Sequence, residues 1–359
     1  MPTVPTIKLV KVTLTNPSEA ATLEPFSNSK IVAIDQCPTW GTVRYGHHKG
    51  YDTEARAMAL EAGSAMHEVF SAVRVWQLAR MQKQLRLAAI RAEQIFTKPR
   101  WKKLGKALTI KDDRDSLLEL AFSTLHSSGF YDDPRDEIRT LANMEVSTIQ
   151  YCDEHLEVMD RWPIYYEDTR KPFIGIEQVV DCVLHYSNGD RIRYIGTVDG
   201  VMRQLPSGRL FLAENKTSVR LDEGWRMAFE TSHQVTGYCV LGTTLLNKPM
   251  FSVRVYGLKL KQSANNMIEN YTTFEPQDRT EEMIQIFARS VWHTVFIDYL
   301  PFKDDYEHAP RRTHSCNRYF RPCALIDFCA DTVDGRAQQY SEMVQIDPSP
   351  SERAVMETV

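Results

Sequence analysis

Three runs of β-forming sequence joined by two tight turns constrain this chain more than any other feature. "FIGIEQVVDCVLHY" (173–186), "DRIRYIGTVDGVMRQ" (190–204) and "GRLFLAENKTS" (208–218) are dense in β-branched and aromatic residues. Between them, "SNGD" and "LPSG" supply the Asn, Gly and Pro that reverse a chain. An antiparallel meander is expected. Side chains alternate across a strand, so Glu214 and Lys216 point to one side together, and Asp199 lies on the neighbouring strand across the "LPSG" turn.

Burying two carboxylates side by side is costly unless a cation offsets their repulsion, and hard divalent ions such as Mg²⁺ take oxygen ligands of this kind. A lysine two residues from one ligand is then placed to stabilise the charge that develops when a phosphodiester is hydrolysed. A charged hairpin edge is the structural alternative. Other residues fit the same chemistry. His67 in "EAGSAMHEVF" offers a neutral imidazole from a helix, or is a structural histidine; Gln234 and Tyr238 in "HQVTGYCVL" stand one helical turn apart, suited to one site or to packing.

Helical sequence surrounds the meander. Asp52 to Phe96 reads as a long helix or a broken pair, and Ser116 to Met159 as a second helical stretch interrupted at "SSGFYDDP". "DEGWRMAFETSHQVTGYCVLGTTLL" reads as one helix, "MFSVRVYGLKLK" as a further strand, and "RTEEMIQIFARSVWHTVFIDYL" as an amphipathic helix. The chain divides into an N-terminal segment (1–50), a helical region with a basic stretch (51–165), a core (166–300), a cysteine-rich end (301–338) and a flexible tail (339–359).

A net charge of −4 argues against a protein that coats nucleic acid. Its distribution is uneven, however, because from Arg74 to Lys111 eleven bases face the single acid Glu93. That excess suits phosphate contacts or a solvated helix face, and Trp76, Phe96 and Trp101 within it suit base stacking or the core. No apolar run approaches membrane-spanning length, and the start of the chain lacks the pattern of a secretory leader. A cytoplasmic protein of a bacterial or phage-infected cell is expected. There is no P-loop signature, so motor activity would have to come from a helicase or recombination partner.

Read in order, "GSAMH", "GTVDG", "AENK" and "QVTGY" resemble the motifs of the RecB-type branch of the PD-(D/E)XK nuclease superfamily, which includes the RecB and AddAB nuclease domains and the CRISPR-associated iron-sulfur exonucleases. The resemblance covers scattered blocks from about residue 60 to about residue 240. It implies an α/β fold with a restriction-nuclease-like mixed sheet flanked by helices, a helical N-terminal part and a cysteine-clamped C-terminal end. His67, Asp199, Glu214 and the carbonyl of Asn215 would hold Mg²⁺ or Mn²⁺, with Lys216 catalytic and Gln234 and Tyr238 as the branch's additional helix motif. Glu177 in "GIEQVV" would be a supporting or DNA-facing acid, or an edge charge.

Cys316, Cys323 and Cys329 lie in "CNRYFRPCALIDFC", and Cys37 lies in "IDQCPTWGTVRYG". Four thiolates suit an iron-sulfur cluster or Zn²⁺. Members of this branch often place one upstream and three downstream cysteines around a [4Fe-4S] cluster, and the resemblance extends to that pattern. It departs in one respect: six residues separate Cys316 from Cys323 where the family has two. Cys152, Cys182 and Cys239 are expected in the core. The expected activity is metal-dependent cleavage of DNA, single-stranded or at double-stranded ends, by an exonuclease. A non-cleaving DNA-binding or recombination accessory protein and a zinc-stabilised interaction module are the alternatives.

Overall fold

The three β-forming runs become β6 (Ile176–Tyr186), β7 (Arg191–Arg203) and β8 (Leu210–Ser218), paired antiparallel in that order in the computed structural model. The structure describes residues 7–20, 22–50, 58–82, 113–134, 136–158, 161–167, 173–260, 271–312, 314, 316–318 and 321–345. β9 (Val253–Lys259) runs parallel to β8, and β10 (Tyr271–Phe274) lies antiparallel on β9. Two N-terminal strands complete a mixed, mostly antiparallel sheet of seven: β1 (Leu9–Leu14) on β6, and β2 (Pro25–Ser27) parallel to β7. Neither was evident in the sequence. β2 is three residues long and pairs only because the 13-residue β7 offers one edge to two partners: Arg193, Tyr194 and Ile195 to β2, and Gly200 to Arg203 to β8.

Alternation sorts the sheet's side chains into two layers. Met202, Phe211, Ala213 and Tyr256 face helices α2 (Met58–Gln82), α3 (Arg114–Ser127) and α4 (Leu141–Val158). Val201, Leu212 and Val255 face α1 (Asn28–Gln36), α5 (His233–Leu246) and α6 (Glu281–His293). Helices therefore cover both faces. The single helix expected over 222–246 is divided, because Asp222 and Ser232 each accept an N–H bond as a separate N-cap, the first starting a short helix at Glu223–Met227 and the second starting α5. Helix α6 likewise stops at His293 and continues as a wider π-turn over Thr294–Tyr299.

A third, smaller core joins the two ends of the described chain. Val43 packs with Leu325, Phe328 and Met343, flanked by Tyr306 and Tyr340, whose rings stack at 4.0 Å. Outside the main sheet, β3 (Lys49–Gly50) pairs with β13 (Val344–Gln345), β4 (Tyr166–Glu167) with β5 (Phe173–Ile174), and β11 (Asn317–Arg318) with β12 (Arg321–Pro322). The expected flexible tail from residue 339 is thus corrected in part: α7 (Val333–Glu342) and β13 carry regular structure to Gln345, and residues 346–359 lie outside the described residues. Among the described residues no helix is long and apolar enough to cross a membrane.

Candidate active site

The site lies where β7 and β8 part. Their ladder ends at the Gly200–Ala213 pair, and β8 then follows β9, with Glu214 opposite Val255 and Lys216 opposite Gly257. The Asn215 N–H lies past the end of that ladder and donates to Asp199 Oδ2 at 2.8 Å, while the Asn215 side-chain amide approaches the same oxygen at 3.4 Å. A carboxylate thus satisfies a backbone donor that lies beyond the last strand pair.

Glu214 is 1% exposed. Its Oε1 accepts from Lys216 Nζ at 2.6 Å and from Gln234 Nε2 at 2.8 Å, whereas its buried Oε2 has no hydrogen-bond partner among the described residues. Leaving such an oxygen unpaired costs about 1–3 kcal/mol, and more when it is charged. Tyr238 sends its hydroxyl toward Asp199 Oδ1 at 3.5 Å, a long contact. Burial pushes the Asp199 carboxyl up against the opposing pull of the Asn215 N–H, Lys216 and Arg74. Burial likewise raises Glu214, where Lys216 opposes it and the like charge of Asp199 adds to it. Burial works against the Lys216 ammonium, but Glu214 and Asp199 together outweigh it and leave its pKa raised. Lys216 is therefore a protonated cation at neutral pH.

His67 and Glu177 complete the cluster. His67 Nδ1 lies 3.8 Å from Asp199 Oδ2, and one ligand atom from each of His67, Glu177 and Asp199 falls within 4.8 Å of the other two. Burial, then the Lys216 charge, push the His67 pKa down to about 4, so its imidazole is neutral and available to a metal at neutral pH. Its side chain is nonetheless 35% exposed, which gives the cluster an open side. Glu177 has φ +45°, in the left-handed region that a non-glycine residue rarely occupies, and Ser71 Oγ donates to its Oε1 at 2.8 Å. Strain of this kind gathers at functional sites.

Asp199, Glu214, Lys216, His67, Gln234 and Tyr238 are thus brought together, and Glu177 proves to belong with them rather than to a sheet edge. Asn215 meets the cluster through its N–H and side chain. Helix α5 seats Gln234 and Tyr238 closely because Gly237 lies against the Tyr194 hydroxyl, where a Cβ would collide. Sequence reasoning missed Ser71 and Arg74, although positions 67, 71 and 74 share one helical face. The basic-stretch reading is corrected at Arg74, which is 1% exposed, while Trp76, also 1% exposed, takes the core alternative; residues 83–111, with Phe96 and Trp101, lie outside the described residues.

The second constellation lies at the junction of the chain ends. Cys37, Cys316, Cys323 and Cys329 are unpaired thiols. The Cys323 N–H donates to the Cys316 carbonyl at 2.8 Å, and Cys323 and Cys329 flank the small core around Phe328. Burial, then Cys37, push the Cys329 thiol up to about 11, with Cys323 and Cys316 adding to it. Each of the four sulfurs thus lies within electrostatic reach of others in the set. Cys152, Cys182 and Cys239 are fully buried, as expected.

His67, Glu177 and Asp199 form a grouping whose donor types suit a hard divalent cation, whereas among the described residues no three of the four cysteine sulfurs lie within 4.8 Å of one another. Protein-family models give no match to the chain, and no curated protein matches it.

Proposed function

We propose that the chain is a divalent-metal-dependent DNA nuclease of the RecB-type PD-(D/E)XK kind, with a restriction-nuclease-like core and a cysteine clamp at its C-terminal end. One observation carries this reading: Asp199, Glu214 and Lys216 meet beside His67 in a buried cluster in which Glu214 Oε2 has no hydrogen-bond partner among the described residues. Under it, His67, Glu177, Asp199 and Glu214 hold Mg²⁺ or Mn²⁺. When bound, the ion polarises the phosphodiester and activates water for hydrolysis.

The remaining work falls to the chain's own groups. Glu214 holds the Lys216 ammonium at 2.6 Å, and the fixed positive charge would stabilise negative charge building on the phosphate oxygens. Gln234 donates to the same Glu214 oxygen, Oε1, and the Asn215 N–H donates to Asp199. Tyr238, raised well above its ordinary pKa by burial and by both carboxylates, stays a neutral phenol that can donate a hydrogen bond.

Digestion of end-labelled linear and of circular DNA with Mn²⁺ tests the reading. Cleavage that EDTA stops is expected, and Lys216→Ala should still bind DNA while its kcat falls about 100-fold or more. Cleavage by that variant at the wild-type rate would remove Lys216 from the chemistry. Anaerobically purified protein should carry iron, which Cys323→Ser loses; zinc at one equivalent would replace the cluster by the alternative metal, and neither metal would end the clamp.

A further inference from the structure

Arg74 lies two helical turns beyond His67, on the α2 face that meets the sheet. It is 1% exposed, and its Nη2 donates to Asn215 Oδ1 at 3.0 Å; among the described residues Nε and Nη1 are buried with no hydrogen-bond partner. Gly200 leaves space for it, since a Cβ there would collide with the guanidinium. A guanidinium keeps its proton in a protein, and an isolated buried ion costs several kcal/mol. Some negative charge must offset it. The groups that act on it are Asp199 and Glu177, with the hydroxyls of Tyr151 and Tyr256 around them.

We infer that Arg74 is a built-in counter-cation of the site: while no ion is bound it balances Asp199 and Glu177 from beneath, and by doing so it loosens the site's grip on a divalent ion. This rests on the metal-dependent reading above. Charge accounting within the cluster supports it. Counted by formal charge, Glu177, Asp199 and Glu214 carry three negative charges against one positive charge each on Arg74 and Lys216, so the site without an ion is one negative charge from balance. A divalent ion alone would carry it one charge past balance, and a phosphodiester would restore neutrality. The ion and the nucleic acid are therefore held most tightly together.

Calorimetric titration of the full chain with Mn²⁺, alongside melting in EDTA and in Mn²⁺, tests the assignment. Arg74→Met should melt roughly 5 °C or more lower in EDTA, as expected for an uncompensated buried charge. It should bind Mn²⁺ about tenfold more tightly, the attraction gained when a like charge a few ångströms away is removed, so that Mn²⁺ restores much of the lost melting temperature. Arg74→Lys should stay close to the wild type. Arg74→Met combined with Glu177→Gln, which removes one charge of each sign, should regain stability in EDTA, and this variant decides the matter if the single variant does not fold. Equal losses of melting temperature with and without Mn²⁺, unchanged Mn²⁺ affinity, or a double variant no more stable than the single one would reduce Arg74 to a packing residue and leave the nuclease reading untouched. A wild-type chain with neither Mn²⁺ heat nor an Mn²⁺-dependent melting shift would overturn both.

Discussion

His155 shows how burial alone sets a pH response at a single residue. It is 1% exposed, its ring lies 3.9 Å from that of Tyr151, and its Nδ1–H donates to the Tyr151 carbonyl at 3.0 Å, which leaves Nε2 without a partner among the described residues. Burial, with Arg74 nearby, pushes its pKa down to about 3. The unfolded chain takes up this proton near pH 6.5 and the folded chain does not, so the contribution is fully present above pH 6.5 and is lost progressively toward pH 3. Between pH 6.5 and pH 5 the loss should be about 2 kcal/mol. The raised carboxyls Asp199 and Glu214 act with the opposite sign, since the folded state then binds the extra protons. Comparing urea unfolding of the wild type and His155→Phe at both pH values isolates the histidine: the variant should lack this slope, and a parallel slope would show that another group carries it.

The packing of helix on sheet can be tested at the level of the element. Gly237 on α5 lies against Tyr194 on β7, so Gly237→Ala should cost about 1–3 kcal/mol by overpacking. Removing the obstructing hydroxyl with Tyr194→Phe in the same chain should return most of it, measured as denaturation midpoints; no recovery would mean that the helix shifts for another reason. Much at this scale was legible beforehand. The meander, the break between α3 and α4, and the convergence of Glu214 with Lys216 followed from turn residues and period-two alternation. Glu177 was also within reach of counting. It stands nine residues before Tyr186 and Asp199 nine after Asp190, on either side of the turn, so the register sets them opposite each other between the Ile176–Gly200 and Gln178–Val198 pairs. What composition hid was Arg74, because a cation at the head of a basic run reads as surface until the fold places carboxylates beneath it. β2 was hidden for a different reason, being only three residues long, and both it and β1 depend on partners far along the chain.

For the molecule as a whole, those long-range pairings and the small core around Phe328 bind its beginning to its end. Phe328 is fully buried against Val43, Leu325 and Met343, so Phe328→Ala should remove about 3–5 kcal/mol from that junction while the seven-stranded sheet stays intact. Limited proteolysis should then cut first within residues 301–345 and leave a resistant fragment that includes β6 to β9; uniform loss of protection would mean that the junction and the sheet unfold as one. The N-terminal strand has a further consequence during synthesis. Leu14 of β1 pairs with Cys182 of β6, and Val10 and Leu14 are exposed apolar residues even in the finished protein. At about 5–20 residues per second, the ribosome delivers the partner strand on the order of ten seconds or more after β1 has left the tunnel. Throughout that wait an unpaired, sticky edge is open to chaperones and to neighbouring nascent chains.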